Sequence, residues 1–331
     1  MNFLITGGAG FIGSHTVDEL LQSGDKVKVI DNLEGGRITN IAGHFSNPNF
    51  EFLEEDIRTI ALSHQIFENV DCIIHFAGLG DIVPSISNPL DYFSVNSFGT
   101  TRILEASRLN SIRRLVYAAS SSCYGLAKVP TSENCEISVE YPYAFSKFVG
   151  EQATFHWSRV YGLEVNSIRI FNAYGTRSRT SGTYGAVFGV FLKQLIEKQP
   201  LTIVGTGEQK RDFVYVTDVA KAFVKASKTS VCGEVFNIGA GDPVSVNRIV
   251  SILNSEFVSI PERPGEPKIT WADISKARKL LEWEPEVSLE DGIRRMLDNI
   301  EYWSDAPLWD PVSISRETSE WFQYLSKNTK E

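Results

Sequence analysis

Asn2 to Thr6 is an apolar run too short for a helix, and Gly7, Gly8, Gly10 and Gly13 follow at once. Ser14 to Leu21 then sets Val17, Leu20 and Leu21 on one helical face, Gly24 breaks the pattern, and Lys26 to Ile30 alternates toward a second strand ending at Asp31. This predicts strand, helix, strand. Residues 32–49 are rich in Gly, Asn and polar groups and predict a loop with one short helix. Further strands are predicted at Phe50 to Leu53, Asp71 to Phe76, Arg113 to Ala119 and Val165 to Ile170. Helical periodicity runs from Tyr92 to Leu109 and from Tyr143 to Trp157. Strands alternating with helical spacers at this interval predict a parallel sheet covered on both faces.

After Ile170 the pattern changes. A polar, glycine-bearing loop covers residues 176–185. Helices are predicted at Ala186 to Lys198 and Asp218 to Ala226, with strands at Leu201 to Val204, Phe213 to Val216 and Val235 to Ile238. From Pro261 the chain is interrupted by prolines. A last helix spans Leu289 to Trp303, and the segment after it, with Trp309, Trp321, Phe322 and Tyr324, predicts a packed terminal helix. Repeats and low-complexity segments are absent from the sequence.

Composition narrows the class. The 331 residues suffice for one large domain or two lobes, and 42% hydrophobic with 22% charged residues is an ordinary globular profile. No apolar run reaches the length of a membrane span, and the immediate strand at the N-terminus leaves no room for a signal peptide. Cys72, Cys123, Cys135 and Cys232 are scattered without metal spacing, so no metal and a reduced, cytoplasmic setting are expected. A net charge of −9 argues against nucleic-acid binding, and the basic pairs Arg113-Arg114 and Arg294-Arg295 read as solvated faces of surface helices.

The glycines carry the first chemistry. A helix N-terminus offers unpaired N–H groups and partial positive charge to a pyrophosphate, and glycine allows a sharp turn and close approach. Asp31 can accept hydrogen bonds from a ribose 2′-OH and would repel a 2′-phosphate, which favours NAD over NADP in a Rossmann-type doubly wound sheet. Gly205-Thr206-Gly207 is a near miss, followed by a polar stretch instead of an amphipathic helix. Ser120-Ser121-Ser122 delivers three hydroxyls to the C-terminal end of a predicted strand, where ligands of such sheets bind. Tyr143 and Lys147, four apart on a helix, share a face, and an ammonium near a phenol lowers its pKa. Tyr124 and Lys128 repeat the spacing, but in a loop with Gly125 and Pro130.

In order, Gly7-x-x-Gly10-x-x-Gly13, Asp31, Asp56-Ile57, His75-Phe76-Ala77-Gly78, the Ser120 cluster before Tyr124-Gly125, and Tyr143-x-x-x-Lys147 resemble the extended short-chain dehydrogenase/reductase family. The likeness is to its nucleotide-sugar epimerases and dehydratases. Arg211-Asp212-Phe213-Val214-Tyr215-Val216-x-Asp218-Val219-Ala220 and Arg263-Pro264-Gly265-Glu266, followed by Trp271-Ala272-Asp273, resemble that family's C-terminal signatures. The resemblance implies a resident NAD. It makes Tyr143 the base toward a sugar hydroxyl, Ser120 the hydroxyl that bridges Tyr143 and the sugar, and Lys147 the group that holds the nicotinamide ribose. Asp56 and Ile57 would contact adenine, and Phe76, Ala77 and Gly78 the pyrophosphate side. Phe11, Ile12, Asn32 and Asn96 complete the implied cofactor set. Asn172, Arg211 and Arg263 would bind a nucleotide diphosphate, and Glu266 its ribose.

Dehydratases of the family carry an Asp-Glu pair after that hydroxyl and decarboxylases a Ser-Glu. Here Ser121 and Ser122 occupy those positions, so elimination lacks its acid and base. A UDP-hexose or UDP-N-acetylhexosamine 4-epimerase is therefore expected. By the same resemblance, Thr270 aligns with the position whose bulk gates acetamido sugars, and Gly80 and Ser121 match the small residues of forms that accept N-acetylhexosamines. Arg179 resembles an arginine that meets a carboxylate in uronic-acid epimerases, which leaves UDP-glucuronate open. An oxidoreductase that releases reduced cofactor and a non-catalytic NAD-binding protein are the other readings. By the same resemblance, residues 1–171 form the NAD-binding domain, with 211–240 contributing elements back to it. Residues 172–331 form a smaller mixed α/β substrate lobe. A homodimer would form through helices at 90–109 and 143–157, whose apolar positions Phe93, Phe148 and Phe155 fit such an interface and equally fit burial against neighbouring elements.

Overall fold

The computed structural model describes residues 1–178 and 184–326. β1 (Asn2–Thr6), α1 (Phe11–Gln22) and β2 (Lys26–Asp31) form the opening unit. Helix α1 starts at Phe11 with Gly10 as its N-cap, one turn earlier than the apolar spacing indicates. Two short 3-10 turns occupy Ile38–Asn40 and Ala42–His44 before β3 (Phe50–Glu54) and β4 (Cys72–His75).

The helix expected from Tyr92 to Leu109 is not continuous. Short helices α2 (Pro84–Ser87) and α3 (Pro89–Tyr92) lead into a π-helical segment, Phe93–Gly99, and only then into α4 (Thr100–Leu109). The widened turn brings Asn96 fully inward, and the Thr100 hydroxyl donates to the Asn96 carbonyl at 2.6 Å. Such π segments occur mostly at functional sites.

β5 (Arg114–Ser120), α5 (Pro142–Tyr161) and β6 (Glu164–Ile170) follow. Pro142 sits in the first turn of α5, where its missing N–H has no cost. The chain then runs through β7 (Asn172–Tyr174), α6 (Val187–Ile196), β8 (Leu201–Val204), β9 (Lys210–Arg211), β10 (Phe213–Tyr215), α7 (Val216–Lys228) and β11 (Glu234–Ile238). β12 (Val244–Ser245), α8 (Val246–Leu253), β13 (Phe257–Ile260) and α9 (Ser275–Leu281) complete a region that the apolar pattern left without elements. α10 (Leu289–Leu297) ends sooner than expected, and a 3-10 turn covers Ile300–Trp303. Two helices close the described chain, α11 (Pro311–Glu317) and α12 (Ser319–Leu325).

Seven parallel strands form the central sheet in the order β3-β2-β1-β4-β5-β6-β11. Strand β11 thus returns to the sheet from beyond residue 172. Alternation along β1 serves both faces: Phe3 and Ile5 join the core that contains Val17 and Phe223, while Leu4 joins the core of Ile103 and Leu104 on the other side. A third core gathers Tyr174, Phe188, Phe191, Trp303 and Trp321, with Val83 from the chain after β4.

One expectation needs correction. Arg114 is buried on β5, and no surface helix carries it. Its guanidinium donates to Glu164 at 2.7 Å and to the carbonyls of Ser227 and Thr229. Buried charge needs such partners. Phe148 and Phe155 turn toward the first and third cores. Exposed apolar groups on these segments include Leu90 (81%), Phe98 (55%) and Phe145 (47%), with Leu109, Val160 and Tyr161 at the helix ends.

Candidate active site

The turn after β1 is shaped for close approach. Gly7 has φ +72°, and a Cβ there would meet the Ala77 nitrogen at 2.6 Å. A Cβ on Gly13 would collide with the Gly7 carbonyl, whereas one on Gly10 would meet only that oxygen, at 3.1 Å. The glycines at 7 and 13 let strand, turn and helix pack together, and the one at 10 leaves the N-terminus of α1 open to a ligand. At the end of β2, Asp31 accepts from the Ala9 amide at 2.9 Å and the Leu33 amide at 2.8 Å. Burial pushes its carboxyl above the usual range, and these two amides work against that shift. The arrangement fits a dinucleotide: backbone N–H groups where a pyrophosphate would lie, and a fixed carboxylate one strand over.

One cleft of about 480 Å³ runs from this turn to the end of β5. It brings together Gly7, Gly10, Phe11, Ile12, Gly13, Asp31, Asn32, Asp56, Ile57, Phe76, Ala77 and Gly78. At its other end it gathers Gly80, Ser120, Ser121, Ser122, Tyr143, Lys147 and Asn172. Asn32 donates to Asp56 at 3.0 Å, and Asp56 also grips Arg58 at 2.5 Å, a residue the sequence reading passed over.

Asn96 does not line the cleft. Its amide donates to the Leu79 carbonyl at 3.0 Å and the Ser146 hydroxyl at 3.0 Å, and its oxygen accepts from the Leu79 amide at 2.8 Å. It therefore ties the loop after β4 to α5, and its side chain is spent on that task.

The catalytic candidates meet at the C-terminal end of β5. The Ser120 and Ser122 hydroxyls lie 2.6 Å apart, and the Ser122 amide donates back to Ser120 at 3.2 Å. Burial pushes the Tyr143 phenol above its usual value, the Ser120 hydroxyl pulls it back, and the Asp81 carboxylate pushes it up again. The expected depression of Tyr143 by Lys147 is not what dominates. Lys147 is itself buried, which drives its ammonium down to about 7, so near neutrality it carries only part of its charge. The Lys147 amine sits 4.6 Å over the Tyr117 ring, whose hydroxyl donates to the Lys147 carbonyl at 3.1 Å. Tyr124, of the competing pair, is committed elsewhere: its hydroxyl donates to Asn237 at 2.8 Å and accepts from Arg169 at 2.9 Å.

Asn172 lines the cleft, but Arg211, Arg263 and Glu266 do not and form a second cluster. Glu266 takes Arg263 Nε at 2.7 Å and lies 3.4 Å from Arg211 Nη2, two cations to one anion. Tyr141 stands between this cluster and Tyr143. Its ring is parallel to that of Tyr143, with centroids 6.5 Å apart, and it feels the charges of Glu266 and Arg211. Thr270 does not reach the cleft. Its hydroxyl donates to Asn172 Oδ1 at 2.9 Å and accepts from the Asp212 amide at 3.2 Å, so it orients Asn172. Arg179 lies outside the described residues. Ser178 also lines the cleft, with a buried hydroxyl that finds no hydrogen-bond partner among the described residues. Tyr141, Asp81 and Ser178 carry no motif spacing; for Tyr141, only its place two residues before Tyr143 is a signal. Among the described residues no cluster of three or more His, Cys, Asp or Glu could hold a metal, and no helix is long and apolar enough to cross a membrane.

Known proteins share this architecture. A putative UDP-glucose 4-epimerase of Methanocaldococcus jannaschii is 38% identical over 304 residues, covering 89% of this chain and 97% of its own. The crystal structure of UDP-glucuronic acid 4-epimerase from Bacillus cereus, in complex with UDP-glucuronic acid and NAD, is 34% identical. It superposes with a TM-score of 0.85 and covers 91% of this chain and 99% of its own. UDP-N-acetylglucosamine 4-epimerase from Methanobrevibacter ruminantium, in complex with UDP-N-acetylmuramic acid, is 30% identical with a TM-score of 0.84, over 90% of this chain and 98% of its own. Residues 3–239 match the model of one family, a span that runs from the glycine turn through Ser120, Tyr143 and Lys147 to β11. The chain belongs to the NAD dependent epimerase/dehydratase family.

Proposed function

We propose that the protein is an NAD-dependent nucleotide-sugar 4-epimerase acting on a UDP-hexose or UDP-N-acetylhexosamine. The observation that carries this reading is the meeting of Ser120, Tyr143 and Lys147 in a glycine-cradled cleft where Ser121 and Ser122 are the next side chains. NAD, when bound, supplies a hydride acceptor and donor beside the sugar carbon. Tyr143 takes the proton of the C4 hydroxyl as the C4–H bond is broken, and returns it when hydride is delivered to the opposite face. Ser120 holds the reacting oxygen against Tyr143, and Lys147 holds the cofactor ribose. With hydroxyls at 121 and 122, no carboxyl group follows Ser120 to drive elimination, so the 4-keto sugar is reduced again. A Cβ on Gly80 would meet nothing within 4 Å, which leaves room at the sugar end for an acetamido group.

Residues 1–171 with 211–240 would hold NAD, and the remainder of 172–331 the nucleotide diphosphate, through Asn172, Arg211, Arg263 and Glu266. Paired guanidinium forks suit phosphate oxygens. Coupled assays with UDP-glucose and UDP-N-acetylglucosamine test the reading. It predicts product without net appearance of reduced cofactor. No conversion of either at high enzyme concentration sinks it, and stoichiometric reduced cofactor would favour an oxidoreductase. UDP-glucuronate is the second reading, favoured by the likeness to the Bacillus cereus enzyme, and belongs in the same panel.

The exposed apolar groups Leu90, Phe98 and Phe145 lie on the two helical segments expected to pair with a second copy. A homodimer through that face is part of the proposal, and size-exclusion with light scattering tests it. Four unpaired cysteines suit a cytoplasmic setting.

A further inference from the structure

The loop that carries Arg263 and Glu266 has an unusual anchorage. Its sequence from 261 to 267 is PERPGEP, and three of those seven residues have no backbone N–H. Apart from the turn at Pro264–Gly265, no backbone–backbone hydrogen bond among the described residues involves any residue from 261 to 267. The loop is held by side chains. Arg211 donates to the Pro267 carbonyl at 2.8 Å. The second donor arrives from the far end of the chain: the Trp321 indole Nε1 donates to the Pro264 carbonyl at 2.9 Å. Pro264 lies between Arg263 and Glu266, the pair joined at 2.7 Å.

Trp321 is buried to 2% exposure on α12, and its ring also packs on Tyr141 with centroids 5.6 Å apart. The same tail braces the loop a second time. Trp309 packs edge-on to Tyr184 at 5.6 Å, and Tyr184 lies beneath the Arg263 guanidinium at 5.4 Å. A partly buried hydrogen bond to a loop without its own ladder fixes that loop's position, because breaking it leaves a carbonyl and an indole unpaired.

We propose that Trp321 is a positioning residue for the Arg211–Arg263–Glu266 cluster, acting through the Pro264 carbonyl on Arg263 and Glu266. This rests on the reading of that cluster as a nucleotide-diphosphate site. The tail then sets nucleotide affinity and leaves the chemical step to Ser120 and Tyr143.

The test compares holoenzyme with Trp321→Phe, which keeps an aromatic ring and removes the donor. UDP binding is measured by calorimetry, KM and kcat with the nucleotide sugar that wild type converts, and bound NAD after denaturation. The proposal expects UDP Kd and KM to rise about tenfold, with kcat within about twofold and NAD content unchanged. Unchanged Kd and KM overturn it, and so does a fall in kcat at constant KM, which would route the effect through Tyr141. If Trp321→Phe does not fold, the assigned indole N–H resonance of Trp321 in wild type decides: a shift on adding UDP supports the proposal, and no shift at saturating UDP overturns it. Wild type that binds no UDP overturns the nucleotide reading and this inference together, whereas wild-type binding with an unaffected variant overturns only the role of Trp321.

Discussion

The hydroxyls of Ser120 and Ser122 stand 2.6 Å apart at the end of β5, with the Ser122 amide also pointed at Ser120. The amide donates to Ser120 and either hydroxyl can donate to the other, so Ser122 orients the one oxygen proposed to touch both Tyr143 and the sugar. Ser120→Ala should lower kcat by about 10²-fold, because it removes a group that acts in the transition state. Ser122→Ala should lower it by about fivefold, the loss of one orienting hydrogen bond of roughly 1 kcal/mol. Equal effects would place the two serines in equivalent roles. Steady-state kinetics on both variants checks the ranking.

Tyr143→Phe should cost about 10³-fold in kcat while NAD stays bound, since the proton acceptor goes and the glycine cradle remains. Near wild-type turnover would show that another group is the base. Release of NAD on denaturation, measured chromatographically, confirms that the cofactor site survives.

Gly10→Ala and Gly13→Ala should separate ligand crowding from fold crowding. At Gly13 a Cβ strikes the Gly7 carbonyl, so the helix must move and the melting temperature should fall together with NAD content. At Gly10 the protein itself leaves nearly enough space, with one contact at 3.1 Å, so stability should hold while NAD is lost. Thermal unfolding with cofactor analysis reads both.

His75 should make the protein acid-sensitive. It is fully buried between the hydroxyls of Thr6 at 2.5 Å and Thr100 at 3.0 Å. Burial, aided by the charge of Lys147, drives its pKa down from 6.5 to about 3. The folded value lies below the unfolded one, so between those limits the unfolded chain takes up a proton that the folded chain refuses. Stability is therefore lost as pH falls through that window, by about 1.4 kcal/mol per pH unit from this residue. Denaturant titrations at several pH values should give a shallower slope for His75→Gln than for wild type.

Gly80→Val should narrow the sugar end. It should lower kcat/KM for UDP-N-acetylglucosamine more than for UDP-glucose, because the added methyls fill space that is open in wild type. An equal loss on both sugars would remove Gly80 from the argument about specificity.

What the chain alone determined was local or periodic. The glycine turn, Asp31 at the end of β2, Ser120 at the end of β5, and Tyr143 one helical turn before Lys147 all follow from residue types at short spacing, and the structure brings them into one cleft. The alternation of strands and helices predicted the sheet, because period-2 and period-3.6 patterns are imposed by the backbone itself. Elements whose apolar signal is short, such as α8 and α9, escaped notice, as did the π-helical turn that sends Asn96 inward.

Tertiary structure decided the rest. Thr270 meets Asn172 across 98 residues, Trp321 meets Pro264 across 57, and Arg114 is buried by carbonyls more than a hundred positions away. No spacing rule reaches those partners. The direction of a pKa is of the same kind. Four residues of helix put Lys147 beside Tyr143, but the packing around both removes water, and desolvation then outweighs the attraction that the spacing suggests. Periodicity says which face of an element is apolar; only the packed chain says what covers it and how dry the covered groups become.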